Sequence, residues 1–178
     1  SALSAESIKI PALTALTGPL AILGQDGKKG IEIAVDQINR AGGIAGRKLI
    51  VDVSDSQGKP DTARREMERL VRLQNAPLVL GCDISASTAS AAQFAEASQV
   101  VLFNAAAVSS EILDRHYRWY FTQQITNNDE ADTVLAFLKK ISGDLKNQKI
   151  ALLYEDSPRG AVTGELVRSD EAIDRLML

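Results

Sequence analysis

The hydrophobic period of this chain switches back and forth between two and about 3.6 residues, and that alternation limits the fold more than any single motif. Ile8 to Leu16 alternates as a strand and runs into a Thr17-Gly18-Pro19 turn. Gly27 to Ala41 reads as a helix with Ile31, Ala34, Val35 and Ile38 on one face, and Lys48 to Ser54 as a second strand. Pro60 opens a charged helix to Gln74, because a first helical turn tolerates the missing N–H; Met67, Leu70 and Val71 face inward. Leu78 to Gly81 is short and wholly apolar, as suits a strand buried on both faces. Ser85 to Ser98 is a helix of small residues, and Val100 to Phe103 a fourth strand. Each helix joins two strands, so right-handed βαβ crossovers follow. The fold class is α/β, a Rossmann-like or flavodoxin-like parallel sheet with helices on both faces.

A second pattern begins after an irregular Ala105 to Ser110 and a short strand at Trp119 to Phe121. Polar Thr122 to Asn128 is followed by a helix from Glu130 to Ile141, a strand from Lys149 to Tyr154 and a helix from about Gly160. One strand cannot complete a parallel sheet. The expected division is therefore a whole lobe over 1–122 and the opening βα segment of another over 123–178. A hydrophobic share of 45% in 178 residues is enough for a real core. A net charge of −3 gives no basic surface for nucleic acid, and no apolar run approaches the roughly 20 residues of a membrane helix. One cysteine, Cys82, allows no intramolecular disulfide, and with one histidine, His116, the chain is poorly supplied for a His/Cys metal site. Small, polar Ser1 to Ser7 suits either the trimmed end of an export signal or a cloning remnant.

Ligands of open α/β sheets sit beyond the carboxyl ends of strands. The loops there are Thr17 to Gly24, Cys82 to Thr88 and Asn104 to Ser110. The second is the richest. Ser85, Ser87 and Thr88 at a helix start put hydroxyls beside unpaired N–H groups, where the helix dipole favours an anion such as a carboxylate. The plainer alternative is that one of them only caps the helix. No dinucleotide fingerprint, Walker sequence or nucleophile elbow occurs, and no cofactor is called for. His116 lies in a charged connector and reads as a surface residue, Cys82 as a small buried side chain. Asp129, Glu130 and Asp132 support a helix start, and Arg64 to Arg69 mixes charges as a solvated face does.

Between the first helix and second strand, Ala41-Gly42-Gly43-Ile44-Ala45-Gly46-Arg47-Lys48 supplies the positive-φ residues a tight helix-to-strand reversal needs. With Ile38-Asn39-Arg40 before it, this phrase resembles the type I periplasmic binding proteins, in particular the leucine/isoleucine/valine-binding group of ABC-transporter receptors. Thr17-Gly18-Pro19-Leu20-Ala21, Gly24, Gly30 to Val35, Gly81 with Ser85-Ala86-Ser87-Thr88, and Glu111-Ile112-Leu113 extend the likeness from Ile8 to about Gly160. The resemblance implies a non-enzymatic receptor, outside the cytoplasm, that closes two lobes over a small carboxylate or amino-acid-like solute for a membrane ABC permease. A sensor domain of the same fold, signalling to a partner protein, is the alternative. By position, Ser85 with Ala86 holds the ligand carboxylate and Ala106 offers a carbonyl to an ammonium. Ala107 and Val108 continue that rim, Val108 standing where the group normally carries a threonine. Leu23 replaces an aromatic residue of some relatives. Arg159 stands near a tyrosine position, where it would clamp an anion or simply lie at the surface. These departures favour an acid without an α-amino group. The incomplete second lobe is expected to weaken binding and to promote self-association.

Overall fold

A computed structural model of the chain describes residues 6–143, 153–154, 156 and 158–168, without the side chains of 158–159 and 167–168. The order of elements is β1 (Ile8–Thr14), α1 (Ala21–Arg40), β2 (Leu49–Asp55), α2 (Pro60–Gln74), β3 (Leu78–Gly81), α3 (Ser85–Ser98), β4 (Val101–Asn104), α4 (Ser110–Leu113), β5 (Tyr120–Thr122), α5 (Asn127–Ser142) and α6 (Pro158–Arg168). The strands form one sheet in the order β2-β1-β3-β4-β5, and every pairing is parallel. Register runs Ile8 to Thr14 against Leu49 to Asp55, with Leu80 opposite Phe103 and Phe103 opposite Phe121.

Register settles which side chains share a face, since partners in adjacent strands point the same way. One face carries Leu13, Val79, Leu102 and Tyr120, all buried. It is covered by α2 over β1 and β2 and by α3 over β4 and β5, the two helices packing on each other through an interior that includes Met67, Leu70, Ala91 and Ala95. The other face receives α1, which packs on β1 and β2, Ile31 and Val35 lining a shallow gap with Val51 and Val53. Across β3, β4 and β5 that face shows the row Leu80, Phe103, Phe121 and, behind it, Leu78 and Val101. These are half-buried, with Phe121 50% exposed.

Helix α1 begins at Ala21, six residues before the Gly27 expected from the sequence. Gly24 explains why. A Cβ there would run into the backbone carbonyl of Ala15, so glycine lets the first turns of α1 lie directly on the end of β1. Ala34, expected inward, is exposed. The connector behaves as expected: Gly43 N–H bonds the Ile38 carbonyl at 2.9 Å as the helix unwinds, and Ile44 and Arg47 exchange both backbone bonds around Ala45 and Gly46 at positive φ. The Asn39 amide adds a brace, donating to the Leu49 carbonyl and accepting from its N–H, each at 2.8 Å.

The described chain divides into two compact units, one holding residues up to 107 with 117–123, the other 108–116 with residues from 124 on. In the second, Asn127 is the hub. Its N–H donates to the Val108 carbonyl at 3.0 Å, its Oδ1 accepts from Ser110 N–H at 3.2 Å, and its Nδ2 donates to Thr163 Oγ1 at 2.8 Å. Those bonds tie Val108 and Ser110 to the start of α5 and, through Thr163, to α6. Helix α5 starts three residues earlier than Glu130 because Thr126 and Asp129 form a reciprocal capping box. The strand expected over 149–154 falls largely outside the described residues; Leu153 and Tyr154 are described and are not in a strand.

Candidate functional site

Beyond the carboxyl ends of a parallel sheet, a crevice opens where successive connections change direction. That point lies between β1 and β3, since the chain leaves β1 for β2 on one side and returns to β3 on the other. Topology brings the first unit's candidates to this rim: Leu23 in the first turn of α1, Ser85 and Ala86 opening α3, and Ala106 and Ala107 following β4. Val108 and Arg159 belong to the second unit, Arg159 lying in α6 with its side chain outside the described residues. A cavity of about 630 Å³ lined by Lys9, Pro11, Asp52 and Ala76 lies at the other end of the sheet, by the amino ends of β1 and β3.

The loop after β1 is already occupied by the protein's own carboxylates. Asp55, closing β2, accepts from Leu16 N–H at 2.8 Å, Thr17 N–H at 3.2 Å, Thr17 Oγ1 at 2.6 Å and Gln57 N–H at 2.8 Å. Burial pushes the Asp55 carboxyl upward, but these hydrogen bonds outweigh it and hold the group below the usual carboxylate range. Asp83, just past β3, accepts Ala15 N–H on both oxygens, at 3.2 and 3.1 Å. The loop is thereby fixed and its amides are spent.

The start of α3 is the opposite case. Its N-cap residue is Ile84, which has no side-chain oxygen to give. The first intrahelical bond runs from Thr88 N–H to the Ile84 carbonyl at 2.8 Å, so the N–H groups of Ser85, Ala86 and Ser87 have no partner among the described residues. The capping alternative therefore fails: Thr88 Oγ1 turns back onto the Ile84 carbonyl at 2.9 Å, and neither serine caps the helix. Ser85 is buried, and its hydroxyl makes no hydrogen bond among the described residues. Ser87 is fully buried and its Oγ has no partner either. Three main-chain donors and two hydroxyls at a helix N-terminus thus lack partners among the described residues, an arrangement whose dipole favours negative charge.

The rim after β4 is shaped by Asn104, fully buried and unremarked in the sequence. Its Oδ1 accepts from Ala106 and Ala107 N–H at 3.2 and 2.9 Å, and its Nδ2 donates to the Ala107 carbonyl at 2.6 Å and to Thr122 Oγ1 at 2.8 Å. The Ala106 carbonyl and the Val108 N–H keep no partner among the described residues, while the Val108 carbonyl is taken by Asn127. Leu23 is 54% exposed at the rim. Cys82 is buried, and burial, reinforced by the charge of Asp83, pushes its thiol far upward, so it has no thiolate to offer. His116 is exposed in its connector. No cluster of metal-ligating side chains occurs among the described residues. None of the described helices is long and apolar enough to cross a membrane.

Residue types at strand ends carried the missed signals. Asp55 closes β2 and Asp83 lies two residues past β3, where a carboxylate meets turn amides, and Asn104 closes β4 before a run of alanines.

The family model for the periplasmic binding proteins matches residues 7–169. Among curated relatives, the Leu/Ile/Val-binding protein homolog 8 of Brucella abortus (strain 2308) is 33% identical over 158 residues, covering 86% of this chain and 39% of the relative. The Leu/Ile/Val-binding protein homolog 7 of Brucella suis biovar 1 is 34% identical over the same length and shares. The chain thus spans about two fifths of the relatives it matches. Of solved structures, the branched-chain amino acid transporter substrate binding protein LivJ of Streptococcus pneumoniae, in complex with isoleucine, matches with a TM-score of 0.71 and 26% identity over 76% of this chain and 38% of that one. A solute binding protein of an ABC transporter from Rhodopseudomonas palustris BisB5, in complex with 3,4-dihydroxybenzoic acid, superposes with a TM-score of 0.82 at 20% identity, covering 96% of this chain and 44% of that one, a likeness of fold. A sheet with its donors at the β1/β3 crevice and a family match over nearly its whole length make this chain a member of the periplasmic binding protein family.

Proposed function

We propose that the chain is the ligand-gripping first lobe, with part of a second, of an extracytoplasmic solute-binding protein that hands a small carboxylate or amino-acid-like solute to a membrane ABC permease. One observation supports the reading: the uncapped N-terminus of α3, where the Ser85, Ala86 and Ser87 N–H groups and the serine hydroxyls have no partner among the described residues. Their dipole and donors stabilise a negative end group without any chemical step. The Ala106 carbonyl and Val108 N–H supply further polar contacts, and Leu23 the apolar one. Arg159 is assigned to the ligand's anionic side on sequence position alone. Closure of a second lobe completes the grip by favouring the closed population.

With about two fifths of the relatives' length present, affinity of this chain for a small acid is expected in the millimolar range, about 4 kcal/mol of binding free energy. Titration of the 15N-labelled chain with butyrate should move the amide resonances of Ser85, Ala86 and Ser87 first, and Ser85→Ala should weaken binding about tenfold or more, the worth of one hydrogen bond to a charged group. Shifts confined to other loops, or nanomolar binding indifferent to Ser85→Ala, would sink the assignment.

A further inference from the structure

We infer that Asp83 is a specificity-determining residue that sets the net charge of the ligand, favouring a cationic substituent and rejecting a second anionic one. This rests on the α3 N-terminus being the carboxylate seat. Asp83 lies in the crevice between β1 and β3, one residue before the N-cap Ile84 and two before Ser85. Among the described residues, both its oxygens share a single donor, Ala15 N–H. A carboxylate offers about four lone-pair sites, so most of its acceptor capacity is unspent. Asp55, a strand away, shows the contrast: four donors converge on it.

Nor does any basic side chain among the described residues pair with the Asp83 charge. Ion pairs such as Lys28–Glu32, Lys29–Asp26, Arg40–Asp36, Arg69–Glu66 and Arg72–Glu68 lie within single helices, and none of them includes Asp83. Asp83 is half-buried, where an unbalanced charge is screened less than at the open surface. A ligand carboxylate seated on Ser85 to Ser87 therefore meets helix donors ahead of it and a fixed negative charge to one side. A ligand cation placed toward Asp83 relieves that repulsion and fills its free lone pairs with charge-assisted bonds, stronger than the neutral hydroxyl contact absent at Val108. Val108, Leu23 and Arg159 suggested a plain acid from the sequence; the unspent Asp83 carboxylate points toward a ligand that also carries a cationic group.

The test uses a four-carbon series of differing charge: 4-aminobutyrate, butyrate and succinate, titrated into the chain at low ionic strength with the Ser85 to Ser87 amides as readout. Affinity should fall in that order, by about tenfold per unit of charge for groups several ångströms apart in an intermediate dielectric. Asp83→Asn retains an oxygen for Ala15 N–H but removes the charge, so the fold stays while the 4-aminobutyrate-to-butyrate ratio falls toward one and succinate gains. An unchanged ratio in Asp83→Asn, or butyrate binding tighter than 4-aminobutyrate to the unsubstituted chain, overturns the inference and leaves the carboxylate seat standing. If no probe moves the Ser85 to Ser87 amides, the seat itself is wrong and the inference falls with it.

Discussion

The loops after β1 and after β3 start alike and end differently. Each leaves a parallel strand at the same rim and enters a helix whose N-cap residue, Leu20 or Ile84, makes no side-chain cap. After β1, Asp55 and Asp83 consume the amides of Ala15, Leu16 and Thr17. After β3, no protein group reaches the amides of Ser85, Ala86 and Ser87 among the described residues. The difference teaches that a binding rim is made as much by where the protein satisfies itself as by where it does not. One loop is rigid because its donors are spent; the other is receptive because they are saved.

Three substitutions break or sharpen this contrast. The largest effect belongs to Gly24→Val, which drives a side chain into the Ala15 backbone and pushes α1 off the spent loop. Overpacking of this kind should cost about 3 kcal/mol or more. For a chain of this size that lowers Tm by roughly 6–12 °C, read by circular dichroism. An unchanged Tm would mean that α1 does not approach β1 so closely.

Next is Asp55→Ala, which frees Leu16 and Thr17 N–H. The loss should be about 1–2 kcal/mol at pH 7, discounted because the carboxylate is only half-buried. Its pH dependence has a definite sign. The folded-state carboxyl lies below its ordinary value of 3.8, so its contribution is complete well above 3.8 and disappears as pH falls through the lowered folded value. Urea midpoints of the variant and the unsubstituted chain should therefore converge as pH drops below 3.8. A gap that persists unchanged into strong acid would show that Asp55 acts through packing.

The smallest effect on stability is expected from Ile84→Thr, which keeps a branched Cβ and adds a cap oxygen to the saved amides. The added cap, worth about 1 kcal/mol, offsets the lost contact with the Gly58 turn, so Tm should move little. Butyrate affinity should drop about threefold, since one donor is now spent internally. Equal affinity would mean that those amides do not meet the ligand.

How legible this was in the sequence depends on range. Helix α2 and helix α3 match their expected bounds, because Pro60 marks one start and the change from apolar Leu78–Gly81 to small residues marks the other. Helix α1 did not, because Gly24 argues against a helix locally and only its approach to Ala15 justifies it. Ser85 and Ala86 were readable as a helix start at a strand's carboxyl end. The roles of Asp83 and Asn104 were not, because a carboxylate 68 residues from the amide it accepts leaves no periodic trace. Nor did periodicity tie Val108 to Asn127, a link made by a buried amide side chain.

The two faces of the sheet carry a last consequence. Leu80, Phe103 and Phe121 form an unbroken apolar row, yet they bury far less than Leu13, Val79 and Leu102 on the reverse side. Grease that is left wet returns little free energy to folding, while it lowers solubility and invites dye binding. A screen that scored only melting temperature would rank Phe121 as nearly dispensable, and would miss any effect of its half-exposed ring on solubility.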